Sequence, residues 1–231
     1  MMDKIRLYEI LNSKDSLRKL PDMPKEELKE MLGKEFSDMK DFNQNNPHHC
    51  YDLLTHSIEV VCGLFDTDLP KEKVYLLKVA ALFHDIGKPV VAFEKQGRTV
   101  FYGHAAKSVE IARPILEALA FNKEETDTIL FYIRHHDDFI SFKFENTSDN
   151  KSIQIISKES VKKLIDNTIE KARKKGDYIP TYEDYKHLMH LCYADASAQS
   201  EIVIKNGVQI DSKAEKLKRT QGVSSIINEL L

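Results

Sequence analysis

The chain has 231 residues, 42% of them hydrophobic, which suffices for one sizeable core or a core with an extension. Its 34 basic and 37 acidic side chains leave a formal net charge of −3, a balance that carries no overall nucleic-acid footprint. No apolar run nears the roughly 18 residues needed to cross a bilayer, and MMDKIRLYEILNSKDSLRKL lacks a signal-peptide core. Cys50, Cys62 and Cys192 form no CxxC pair, so the expectation is a cytoplasmic protein with reduced thiols and no membrane partner.

Apolar residues recur at three and four along nearly the whole chain, which predicts an all-α fold. Residues 1–45 read as a helical N-terminal extension, with Ile5, Leu7 and Leu11 on one stripe. Pro21 and Pro24 interrupt it, and PKEELKEMLGKEF starts a further helix. The turn-rich DFNQNNPHH separates this extension from a main domain over 46–231. There, YDLLTHSIEVV places Leu53, His56 and Val60 on one face. In EKVYLLKVAALFHD, Leu77, Ala81 and His84 share a face, and Gly87 and Pro89 are expected to stop the helix. Between Pro89 and Gly103 the period drops to two, and VVAF and RTVFY around EKQG predict a short β-hairpin.

His104 then opens the helix GHAAKSVEIARPILEAL, and TDTILFYIRHHDD lines up Ile129, Tyr132, Ile133 and His136. Residues 141–180 read as a variable insertion. It is polar and weakly periodic over 141–160, and KLIDNTIEKARKKGD follows as a solvated basic helix face closed by glycine. In KHLMHLCYADASAQ, Leu188, Leu191 and Asp195 share a stripe.

A buried histidine beside a buried aspartate costs free energy unless each has a partner, which a metal ion or another polar group supplies. One such pair reads equally as a core histidine with a capping aspartate. Five segments that place His56, His84 with Asp85, His104, His136 and Asp195 on apolar stripes point to a common centre. No Ser-His-Asp order, Gly-rich phosphate loop or cysteine cluster competes with that reading.

The ordered set H…HD…H…H…D, with HDIGKP at its heart, resembles the HD superfamily of metal-dependent phosphohydrolases from about Asn46 to Ser200. NPHHCYDLLTHS, FYGHAAKS, RHHDD and LMHLCYADASAQS look most like the HD domain attached to bacterial CCA-adding tRNA nucleotidyltransferases and their stand-alone relatives. The resemblance implies an HD-domain helical bundle in which His56, His84, Asp85 and Asp195 hold a first metal ion. Asp85 would bridge, and His104 and His136 would bind a second ion. His135 is a further ligand or a neighbouring surface histidine, since it lies about 100° around the helix from His136. His49 matches a position that orients the first ligand. Two departures stand out. Ala105 replaces a glutamate common after the GH of the middle motif, and no nucleotidyltransferase catalytic domain is expected in the chain.

Imidazoles and carboxylates suit Mn²⁺, Fe²⁺, Co²⁺, Ni²⁺ or Zn²⁺ better than the all-oxygen cages of Mg²⁺ and Ca²⁺, with Mg²⁺ still admitted for activity. One or two such ions acidify a water into a hydroxide nucleophile and screen phosphoryl oxygens, which makes Asp85 catalytic. Lys88 reads as catalytic and substrate-binding, reaching a phosphate as a compact charge, or else as a solvated lysine at a helix C-terminus. Lys107 and Arg134 are further substrate-binding candidates.

The expected function is hydrolysis of phosphate esters of nucleotides or RNA ends, of the 2′,3′-cyclic phosphodiesterase or phosphomonoesterase type. The alternatives are a nucleotide or nucleoside triphosphate hydrolase or nuclease, and a non-enzymatic metal-binding regulatory module. Physiological substrate, metal identity and number, and oligomeric state stay open.

Overall fold

The computed structural model describes residues 2–144, 154–205 and 208–231. At its centre lies α6 (Lys71–Phe83), buried at every position from Tyr75 to Phe83 and therefore on all its faces rather than along one stripe. A helix that is apolar all round must be surrounded, and α6 packs against α1 (Lys4–Leu11), α5 (Leu53–Gly63), α9 (Lys123–His135) and α11 (Tyr182–Ser197). These helices start where local chemistry says they should. Asp52 caps α5 by accepting the Thr55 N–H, and Asn122 with Glu125 and Thr181 with Asp184 form capping boxes at α9 and α11.

The N-terminal helices α1, α2 (Lys14–Lys19), α3 (Lys25–Leu32) and α4 (Lys34–Met39) send Leu7, Leu11, Leu17, Leu28, Phe36 and Met39 into the same hydrophobic core as α5 and α6. Each fully buried Leu or Phe contributes about 1.5–3 kcal/mol relative to exposure. The expected stripe of Ile5, Leu7 and Leu11 is corrected here. Ile5 is 73% exposed, and Ile10 joins Leu7 and Leu11, because residues 7, 10 and 11 keep the helical spacing while residue 5 falls about 200° from residue 7.

The helix stop is also different from the expectation. Gly87 has right-handed helical dihedrals rather than a left-handed cap, and α6 passes through the turn at 84–87 into a single helical turn, α7 (Lys88–Val91), with Pro89 in its first turn. What requires glycine at 87 is proximity. A Cβ there would lie 2.6 Å from the Ser108 nitrogen and 2.8 Å from the His104 carbonyl oxygen. The turn thus presses backbone to backbone on the start of α8 (His104–Ala118), and the Gly87 N–H donates to Ser108 Oγ at 2.9 Å.

The hairpin after this turn consists of β1 (Phe93–Lys95) and β2 (Arg98–Val100), antiparallel, with Gln96 and Gly97 both at positive φ. Such a two-residue turn matches the twist of its strands. In the 141–180 stretch, β3 (Phe142–Lys143) pairs in parallel with β4 (Gln154–Ile155), and residues 145–153 of that predicted loop lie outside the described residues. The basic stretch forms α10 (Lys158–Lys175), closed by Gly176 in the left-handed region. A second antiparallel pair, β5 (Ile202–Lys205) and β6 (Val208–Asp211), leads into α12 (Ser212–Leu230), which packs on α10 and α11. No helix of the described residues is long and apolar enough to cross a membrane.

Candidate metal centre

His56 on α5, His84 and Asp85 at the end of α6, and Asp195 on α11 converge. His56 Nε2 lies 3.0 Å from Asp195 Oδ1 and 3.8 Å from Asp85 Oδ2. His84 Nε2 lies 3.1 Å from Asp85 Oδ2 and 4.0 Å from Asp195 Oδ1. The other oxygen of Asp85, Oδ1, faces a second group, at 3.2 Å from His104 Nε2 and 3.7 Å from His136 Nε2. His104 and His136 bring their Nε2 atoms to 3.2 Å of each other, and Asp137 Oδ2 stands 3.3 Å from His104 Nε2.

All four imidazoles are oriented in the same way. Nδ1 faces a backbone carbonyl in each case: Ala198 at 3.4 Å for His56, Ala81 at 2.7 Å for His84, Phe101 at 3.0 Å for His104 and Ile133 at 2.8 Å for His136. A carbonyl can only accept, so each Nδ1 carries the proton and, in the neutral ring, Nε2 turns a lone pair inward. That is how a protein sets imidazoles for a metal.

The inward atoms also lack other satisfaction. His56 Nε2, His84 Nε2 and Asp85 Oδ1 are buried without a hydrogen bond of acceptable geometry among the described residues. Isolated buried polar atoms of this kind are costly.

Electrostatics agree. Burial opposes ionisation of Asp85, yet His84 and Lys88 hold its carboxyl well below the usual range; burial likewise opposes that of Asp195, which the adjacent His56 pulls down. Burial works against a charged His84, but the two carboxylates push it up to about 9. His104 is raised, because Asp85 outweighs its burial, whereas burial lowers His136. The centre is thus an anionic cavity that needs positive charge, from protons or from divalent ions that displace them. Imidazole and carboxylate donors fit such ions, and they fall into three overlapping groups: His56, His84 and Asp195; His84, Asp85 and His136; and His104, His136 and Asp137.

Lys88 is buried, with Nζ 2.6 Å from Asp85 Oδ2 and donating to Gln44 Oε1 at 2.9 Å. Its place at the first position of α7 replaces the expected helix C-terminus. His49 sets its ring edge-on to His56, at 5.2 Å between centroids, and burial drives it towards its neutral form.

Three expected site residues are not part of the cluster. His135 turns aside, its Nδ1 2.8 Å from Asp138 Oδ2, whose carboxylate also accepts from the Tyr185 hydroxyl at 3.2 Å. Lys107 ion-pairs with Glu110 at 2.5 Å. Arg134 is exposed, two residues and so about 200° around the helical turn from His136. Conversely, Asp137, Gln44 and Gln199 were not anticipated. Asp137 was visible as the first acidic residue of RHHDD, and Gln199 follows Asp195 by four, with Nε2 3.2 and 3.3 Å from its oxygens. Nothing local marks Gln44.

Four imidazole nitrogens and three carboxylates, turned inward on a helical scaffold, define a site able to hold divalent metal ions. The chain belongs to the HD domain family, which matches residues 53–184. HD domains bind divalent metals, and the family generally comprises hydrolases. A CC-adding tRNA nucleotidyltransferase of Thermus thermophilus is 44% identical over 63 residues. That match takes in 26% of this chain and spans only 14% of the relative's length.

Proposed function

We propose that this protein is a metal-dependent phosphohydrolase acting on phosphate esters of nucleotides or RNA ends, as a 2′,3′-cyclic phosphodiesterase or phosphomonoesterase. The observation that carries the reading is the division of Asp85, with Oδ2 directed to His56 and His84 and Oδ1 to His104 and His136. A carboxylate so placed would serve two ions, whose chemistry would suit both oxygens of a displacement at phosphorus.

His56, His84, Asp85 and Asp195 would hold one ion, and Asp85, His104, His136 and Asp137 the other. Such ions supply Lewis acidity, acidifying water and screening phosphoryl oxygens. The chain's own residues do the rest. The four backbone carbonyls keep protons on the Nδ1 atoms, so each Nε2 stays available. Lys88 keeps Asp85 ionised, and Gln44 keeps Lys88 in place.

Hydrolysis adds the oxygen of water to phosphorus and releases the ester oxygen, which leaves with a proton. The nucleotide or RNA-end class rests on similarity to a CC-adding tRNA nucleotidyltransferase, and the three free cysteines support a reducing, cytoplasmic location.

The test is elemental analysis of the purified protein with a Mn²⁺- and Ni²⁺-supplemented panel. It holds bis-p-nitrophenyl phosphate, p-nitrophenyl phosphate, 2′,3′-cyclic AMP, 2′- and 3′-AMP, and nucleoside triphosphates. Bound metal with selective turnover of cyclic and 2′- or 3′-phosphates is expected. Triphosphate cleavage alone would replace the substrate class, and metal without any turnover would leave a binding module.

A further inference from the structure

Helix α12 carries Lys216 and Arg219, three residues apart and therefore on one face. Both are partly buried, yet neither is ion-paired to a carboxylate among the described residues. Lys216 Nζ donates to Gln199 Oε1, and an Arg219 guanidinium N–H donates to the Ile140 carbonyl at 3.1 Å. Partly buried cations are costly without an anion. Each also keeps unused donors, three on an ammonium and five on a guanidinium before these bonds are subtracted.

Their place matters more than their count. Gln199, which Lys216 holds, itself holds both oxygens of Asp195, so Lys216 stands one amide away from the metal centre. Arg219 lies one turn further along the same face and donates to the carbonyl of Ile140, three residues past Asp137. The side chains of Asp137 and Asp195 are 36% and 17% exposed, against 3% for Asp85, so the centre opens on the side these two carboxylates occupy. Lys216 reaches that side through Gln199, and Arg219 shares its helix face, each with spare donors. Burial is the largest cause that lowers Lys216 to about 8, with Asp195 opposing it and Arg219 and Lys88 adding to it.

We propose that Lys216 and Arg219 form a clamp over the open edge of the metal centre that grips the nonbridging oxygens of a dianionic phosphate monoester and of the phosphate released from it. The clamp deepens the hydrolase reading above and rests on it. It comes from a segment beyond residues 53–184, the part that matches the family. Arg219 supplies a planar fork and Lys216 a point charge, a pairing suited to phosphate. It favours monoesters over diesters, because only a monoester presents three terminal oxygens and a second negative charge.

The test compares the Mn²⁺-loaded wild type with Lys216→Met/Arg219→Met and with Lys216→Arg, using inorganic phosphate as the probe. Phosphate affinity is read from the phosphate-dependent rise in Tm, independently of turnover, and metal content from elemental analysis. The double variant is expected to keep its metal and lose at least about tenfold in phosphate affinity, with a matching rise in KM for p-nitrophenyl phosphate. Its KM for bis-p-nitrophenyl phosphate should move less, and Lys216→Arg should retain phosphate affinity within about threefold.

Wild-type turnover with an unchanged phosphate affinity in the double variant would overturn the clamp and leave the hydrolase standing. Loss of phosphate affinity without turnover in the wild type would overturn the hydrolase and leave the clamp as a phosphate-binding site. Metal lost together with phosphate would also overturn the clamp, since Lys216 would then act only by bracing Gln199 and Asp195. If the double variant does not fold, Arg219→Gln alone is read by the same measures.

Discussion

His104 Nε2 lies 3.2 Å from Oδ1 of Asp85, the carboxylate oxygen opposite the one that faces His84. One aspartate thereby faces two groups of potential ligand atoms, and that division governs what substitutions should do.

Asp85→Ala removes a donor from both sets, whereas His104→Ala removes one from the second alone. Metal content measured by elemental analysis should fall to near zero in the first variant and by about one ion in the second. Turnover in the Asp85 variant should drop by more than about a hundredfold, beyond the 10–100-fold typical of a residue that only supports a ligand. Equal metal loss in both variants would refute the division.

Lys88 is buried against Asp85, and removing one partner of a buried pair leaves an uncompensated charge worth about 3–5 kcal/mol. Urea denaturation of chelated Lys88→Met should show a loss of that order. Mn²⁺ should reduce the loss, because the ion supplies the positive charge that the lysine no longer does. In the wild type, chelation from a metal concentration about a hundredfold above Kd should cost about 2.7 kcal/mol, or roughly 5–10 °C in Tm. A Lys88→Met penalty that is the same with and without Mn²⁺ would rule out this compensation.

Gly87→Ala places a methyl group against the backbone of residues 104, 107 and 108, which cannot rotate away. The expected cost is about 1–3 kcal/mol by denaturation, as for other overpacked sites. Because the displaced backbone starts α8, occupancy of the set containing His104 should weaken more than that of the set containing His56. Metal titration resolves the two, and unaltered stability would show that α8 yields freely.

Lys216 has a folded-state value of about 8, below its ordinary 10.5, with burial the largest cause. Between those values the unfolded chain holds a proton that the folded chain lacks, so this group makes stability rise with pH from about 8 to 10.5. In phosphate-free buffer, the stability of the wild type minus that of Lys216→Met should grow across this window. Parallel curves for the two proteins would contradict the assignment.

Much of this molecule was legible from residue order alone, because helical period, caps and turn residues act over four positions or fewer. The apolar stripes placed His56, His84 and His136 on buried faces and brought the partly exposed Asp195 to His56, and Gln96-Gly97 supplied the turn of the first hairpin. The donor types in turn pointed to divalent ions before any distance was known. Only the tertiary structure decided which neighbour of each stripe joins the centre. His136 caps the C-terminus of α9, and beyond it the chain leaves regular helical geometry, so Asp137 turns inward beside it while His135, still within the helix, turns to Asp138. Packing likewise brought Gln44 to Lys88 and Lys216 to Gln199, across 44 and 17 residues. Such meetings depend on how whole helices lie against one another, and a repeat of three or four residues carries no record of that.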